Sequence, residues 1–152
     1  MKKIILFFLL ALFSTEIAEA CICERQTLEE RIEEHQFIFV GKVLSVKDIY
    51  TDSTTKWPDR QRIVLEIENK FKGNKNEKLA VHSVLSSCAS YFEKGKKYLV
   101  FADHKIDNDT VVNEKFVATN DKIVTGKCYG TKEVKYLEEE TRKLEKIFKS
   151  KN

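Results

Sequence analysis

The chain has 152 residues, four cysteines, one proline and a formal net charge of +3. That length suits one folded domain. The small positive excess is interspersed with acidic residues along the whole chain, which describes a solvated surface and argues against a nucleic-acid groove.

The chain opens with Met1-Lys2-Lys3, continues with the apolar run Ile4 to Phe13 and reaches Ala18-Glu19-Ala20. A positive start, a short apolar core and an Ala-x-Ala end are the layout of a secretory signal peptide. Ten apolar residues span only about 15 Å as a helix, about half of a bilayer core, so a transmembrane anchor is disfavoured. Residues 1–20 read as the signal and residues 21–152 as the exported domain, secreted or periplasmic, with no membrane contact after cleavage. Lipoprotein processing also ends at a cysteine. That class carries leucine and small residues where this chain has Ala18 and the charged Glu19, and lipidation would leave an odd number of thiols. Simple cleavage is preferred, and it makes Cys21 the first residue.

The four cysteines are Cys21, Cys23, Cys88 and Cys128. An even count in an exported domain reads as two disulfides. A Cys21–Cys23 bond would close a very small strained ring, so two pairings stay open, each tying the Cys-x-Cys to both distant cysteines. Either closes loops of about 65 to 105 residues, worth about 4 kcal/mol apiece in the chain-entropy treatment. A zinc site is the alternative, but Cys-x-Cys lacks the usual zinc-knuckle spacing and an oxidising compartment disfavours free thiols.

Thr27-Leu28-Glu29-Glu30 fits a capping box and predicts a helix from Leu28 to His35, with Leu28 and Ile32 facing inward. Phe37 to Tyr50 is a long β-prone run with Gly41 at a bulge or bend. Thr51 to Asp59 is a polar loop holding Pro58 and Trp57, the latter either touching a partner or packing on the domain. Arg62 to Phe71 alternates apolar and polar residues, as a strand does. Lys72-Gly73-Asn74 turns into a strand over Leu79 to Leu85, and Lys97 to Ala102 forms another. Asp107-Asn108-Asp109 predicts a turn, Asn108-Asp109-Thr110 is a glycosylation sequon, and Thr110 to Val112 with Phe116 to Ala118 are read as continuing the sheet. Val134, Leu137, Thr141, Leu144 and Phe148 then form one helical stripe. The whole is mainly β: a small closed barrel with a short N-terminal helix and a C-terminal amphipathic helix.

His35, His82 and His104 show no metal-ligand spacing. No His-Glu-x-x-His, phosphate loop or nucleophile motif occurs, so the chain does not read as an enzyme.

A signal peptide ending at Cys-x-Cys, a helix, the strand Phe39-Val40-Gly41-Lys42-Val43, the strand end Lys70-Phe71-Lys72-Gly73 and the segment Cys88-Ala89-Ser90-Tyr91-Phe92 follow one another here. In that order they resemble the netrin-like domain of the tissue inhibitors of metalloproteinases. The resemblance covers most of residues 21–152. It implies an OB-fold-like barrel, a monomer, and the disulfides Cys21–Cys88 and Cys23–Cys128. It also implies a zinc metalloprotease as partner. Cys21 would then chelate the protease's zinc through its backbone amine and carbonyl, and the chain would have no cofactor of its own. Ile22 would enter the primary specificity pocket. Cys23, Glu24 and Arg25 would extend that contact, and Ser86, Ser87, Cys88 and Ala89 would form its second half. Four cysteines leave none for the third disulfide of the animal family's domain. The alternative function is an exported netrin-like binding or adhesion module that inhibits nothing.

Intact-mass analysis of the exported protein without reductant is expected to give a chain beginning at Cys21. Its mass should be lower than that of the reduced form by the four hydrogens that two disulfides remove. A longer, blocked or lipidated N-terminus contradicts this reading.

Overall fold

Thr27 starts the first helix as its spacing predicts. In the computed structural model, which describes residues 22–50, 54–73, 76–105 and 122–150, helix α1 runs over Leu28–Glu34. The Glu30 N–H donates to Thr27 Oγ1 at 3.2 Å and the Thr27 N–H donates to Glu30 Oε2 at 2.7 Å. The Thr27 N–H holds the Glu30 carboxyl below the usual carboxylate range. At the other end Lys72 Nζ donates to the Ile32 and Glu33 carbonyls, which have no helical partner of their own.

Strands β1 (Phe37–Ile49), β2 (Arg60–Lys72), β3 (Lys78–Val84), β4 (Lys97–Lys105) and β5 (Lys122–Thr125) form the barrel. β1 pairs antiparallel with β2 along its length and with β4 from Phe37↔Ala102 to Lys42↔Lys97. β3 runs antiparallel to β2 and parallel to β5, which returns antiparallel to β4 and closes the ring. The two-residue β6 (Lys132–Glu133) adds to β4 at Tyr98 and Leu99. The fold is thus mainly β, a closed five-stranded OB-fold-like barrel with a short helix before it and helix α2 (Glu138–Lys149) after it. Among the described residues no helix is long and apolar enough to cross a membrane.

The bend expected at Gly41 lies where β1 serves two neighbours. The β1–β2 register shifts between Val40 and Gly41, and again at two flanking positions. A Cβ on residue 41 would lie 3.1 Å from Leu65 Cβ and 3.2 Å from the Glu66 carbonyl oxygen.

Alternation sorts the side chains into two cores. Phe37, Phe39, Val43, Ile63, Leu65, Val81 and Val100 fill the barrel. Ile38, Val40, Leu99 and Phe101 point outward from the same strands and are covered by Leu28 of α1 and by Leu137 and Leu144 at α2. Burial on both faces explains why Phe37 to Val40 and Tyr98 to Ala102 are unbroken apolar runs, whereas half-exposed β2 alternates.

One sequence expectation shifts, one element was not expected, and one set of expectations is not reached by the described residues. The stripe beginning at Val134 enters through a 3-10 turn, Val134–Tyr136, and the α-helix proper starts after Leu137, whose backbone (φ −130°, ψ 26°) breaks the run. The described strand that closes the barrel is Lys122–Thr125, a four-residue element too short to register as a periodic pattern. The turn, sequon and strand expectations at 107–118 lie outside the described residues.

Replacing Gly41→Val should cost about 1–3 kcal/mol through overpacking against Leu65 and Glu66. Urea unfolding followed by tyrosine fluorescence or circular dichroism checks it, and an unchanged midpoint contradicts the close-approach argument.

Candidate functional site

The 22–27 segment has no strand or helix of its own, so its position depends on cross-links. Cys23 is bonded to Cys128 over a sequence separation of 105, one of the two pairings that spacing leaves open. Cys88 is disulfide-bonded as well, and the remaining cysteine, Cys21, lies outside the described residues. The Sγ atoms of Cys23, Cys88 and Cys128 all lie within 4.8 Å of one another. These sulfurs are consumed in disulfides, so they offer no thiolate to zinc. Residues from the N-terminal segment, the β3–β4 loop and the turn after β5 thereby meet at one place.

Each loop is also held without sulfur. The Ala89 N–H donates to the Ser86 carbonyl at 3.0 Å, the Cys88 N–H to Ser86 Oγ at 3.2 Å, and the Lys127 N–H to the Cys88 carbonyl at 3.0 Å. Deeper in, Ser83 Oγ donates to the Ser90 carbonyl and Ser90 Oγ to the Thr131 carbonyl. At Phe101, between the stretches of β4 that pair with β6 and with β5, Thr131 Oγ1 accepts the main-chain N–H at 2.9 Å. Thr125 Oγ1 donates to the carbonyl at 2.7 Å. These hydroxyls satisfy a buried strand edge and moor both cysteine-bearing loops to the barrel.

Ile22 is 86% exposed. Glu24, Arg25, Ser86 and Ser87 are exposed, Cys23 and Cys88 are half-buried, and Ala89 is buried, so Ala89 anchors its loop and offers no side-chain surface. Trp57 stands away from the barrel, 82% exposed.

Two residues that sequence reasoning left without a role position the Cys128 turn. His35, 3% exposed, has Nδ1 2.7 Å from Asp103 Oδ2, and its ring stacks on Tyr129 with centroids 4.9 Å apart. The other oxygen of Asp103 accepts the Gln36 N–H at 2.8 Å. Burial raises the Tyr129 phenol's pKa, and the charges of Asp103 and Glu34 raise it further. His104 meets the Phe37 ring edge-on at 4.7 Å.

The 3-10 turn Lys127–Tyr129 ends at Gly130, in the left-handed region at φ +86°. The missing side chain leaves room for Arg31, since a Cβ there would lie 2.3 Å from Arg31 Nη1. A glycine after Cys128-Tyr129 is a readable turn signal, but nothing in the local sequence couples it to Arg31, which is 99 positions earlier.

No known protein-family model matches the chain, and no curated protein matches it.

The double replacement Cys23→Ser/Cys128→Ser should lower stability by about 2–5 kcal/mol, the usual effect of losing a native disulfide. It should also speed amide hydrogen exchange selectively in residues 22–27. Exchange there at the parent rate would show that the segment is held by something other than the clasp.

Proposed function

We propose that the protein is an exported inhibitor of zinc metalloproteases that uses the N-terminal amine and carbonyl of Cys21 to chelate the protease's zinc. The observation that carries the reading is the sulfur cluster, which gathers the exposed residues Ile22, Glu24 and Arg25 beside Ser86 and Ser87. Together with the resemblance to the tissue inhibitors of metalloproteinases, it supports a two-part contact ridge starting at the residue after a cleavage motif.

The chemistry follows from the groups. A protease zinc keeps one position open for the water that attacks substrate. An α-amine and the carbonyl of the same residue make a five-membered chelate that expels this water. A peptide α-amine, which ordinarily titrates at about 7.7–8, gives up its proton to the metal at small cost near neutral pH. Tethering the neighbouring residue by Cys23–Cys128 removes freedom that binding would otherwise have to freeze out. Ile22 supplies an aliphatic side chain to a hydrophobic specificity pocket. The zinc belongs to the protease, and this chain acts by occupying a site without turning anything over.

A second reading, a netrin-like binding module, is favoured by the exposed Trp57 near the tip of the β1–β2 hairpin. It needs no free amine.

Adding one residue before Cys21, or acetylating its amine, should weaken inhibition of a susceptible metalloprotease by about a hundredfold or more, roughly 2.7 kcal/mol. The circular-dichroism spectrum should stay unchanged. Equal inhibition by the extended protein sinks the chelation mechanism and leaves the binding module in front.

A further inference from the structure

Beside the ridge lies a groove of about 200 Å³, bounded by residues 23–26, the turn carrying Lys127 and Cys128, Lys132 and the start of α2. Arg25, Arg31, Lys127 and Lys132 line it against Glu24 and Glu140, leaving two positive charges in excess. Arg31 is only 9% exposed and firmly placed. Its Nη2 donates to Glu140 Oε2 at 2.9 Å, its Nε to the Thr27 carbonyl at 3.4 Å, and its guanidinium lies over the Phe101 ring at 4.9 Å. Nη1, beneath Gly130, makes no hydrogen bond among the described residues. The side chains of Arg25, Lys127 and Lys132 likewise make no ion pair or hydrogen bond among the described residues.

We propose that this groove binds a carboxylate-rich peptide segment of the partner protein. The inference rests on the adjoining ridge being the partner contact. Glu140 already shows what the groove accepts: a carboxylate seated on one arm of the Arg31 fork. A second carboxylate meets Arg25 and the two lysines, and charge-assisted bonds of this kind are the strong ones. Glu24 and Glu140, set among the cations, repel a compact dianion more than the spaced single charges of acidic side chains. The groove also begins at Cys23 to Arg25, where the ridge ends, so an extended chain lying on the ridge continues into it.

Titration of the ¹⁵N-labelled protein with an N-acetylated, C-amidated hexaglutamate peptide at low ionic strength tests this. Amide shifts should cluster at residues 24–26 and 127–132. Lys127→Glu/Lys132→Glu should weaken binding about tenfold or more while the spectrum stays folded. Lys78→Glu/Lys94→Glu, outside the groove, should change it little. Shifts scattered over all the lysines, no binding at millimolar peptide, equal weakening by the control pair, or tighter binding of inorganic phosphate or a sulfated oligosaccharide would each overturn the proposal. No protease is present in the titration, so its failure leaves the inhibitory reading untouched. Loss of inhibition tests that reading separately and does not alter the titration.

Discussion

At residue 41 there is no room for a side chain: Leu65 and the Glu66 carbonyl of the neighbouring strand stand where a Cβ would contact them at 3.1–3.2 Å. Much of the architecture depends on that approach. It lets β1 bend, through successive irregularities in its register, so that one strand pairs with β2 along one edge and β4 along the other. With β5 bridging β3 and β4, the sheet closes and these strands lose the open edges that would otherwise invite association. Closure also fixes where the connections emerge, bringing the loop before β4 and the turn after β5 close enough for Cys88 and Cys128 to meet Cys23.

The barrel is not self-sufficient. β1 and β4 carry Ile38, Val40, Leu99 and Phe101 on their outer face, and the two helices cover them together with Phe71, Tyr129 and Val134. This outer layer links structure to the candidate site. α1 carries Arg31, whose guanidinium lies on Phe101 and reaches Glu140 of α2. The residue after α1, His35, stacks on Tyr129 beside Cys128. The packing that covers the outer apolar face therefore also sets the walls of the basic groove and the seat of the disulfide. The ridge and the groove are two faces of one joint between the N-terminal segment, the barrel and α2.

Much of the fold was legible locally. The Thr27–Glu30 box, the bend glycine in β1, the alternation of β2 and the stripe Val134, Leu137, Thr141, Leu144 and Phe148 each encode their element through short-range geometry, and those elements occur there, except that Val134 lies in the 3-10 turn that precedes the last helix. The strand β5 was not legible, because Lys122 to Thr125 spans about one period and a half of alternation and is defined by what it pairs with. The candidate site divides in the same way. The Cys-x-Cys and the segment Cys88 to Phe92 stood out as motifs, and Ser86 to Ala89 entered only through the resemblance they carry, whereas Arg31, Lys127 and Lys132 looked like ordinary charges on solvated surfaces.

By itself, then, the sequence determined most of the element types and apolar faces, narrowed the disulfides to two pairings and set the charge balance, because each depends on residues within a few positions of one another or on simple counting. Only the tertiary structure decided that Cys23 bonds Cys128, that Gly130 makes room for Arg31, and that Thr125 and Thr131 satisfy the main chain at Phe101. Those partners are tens of positions apart or sit in irregular backbone. Their meeting is set by barrel closure, a global property that no local periodicity records.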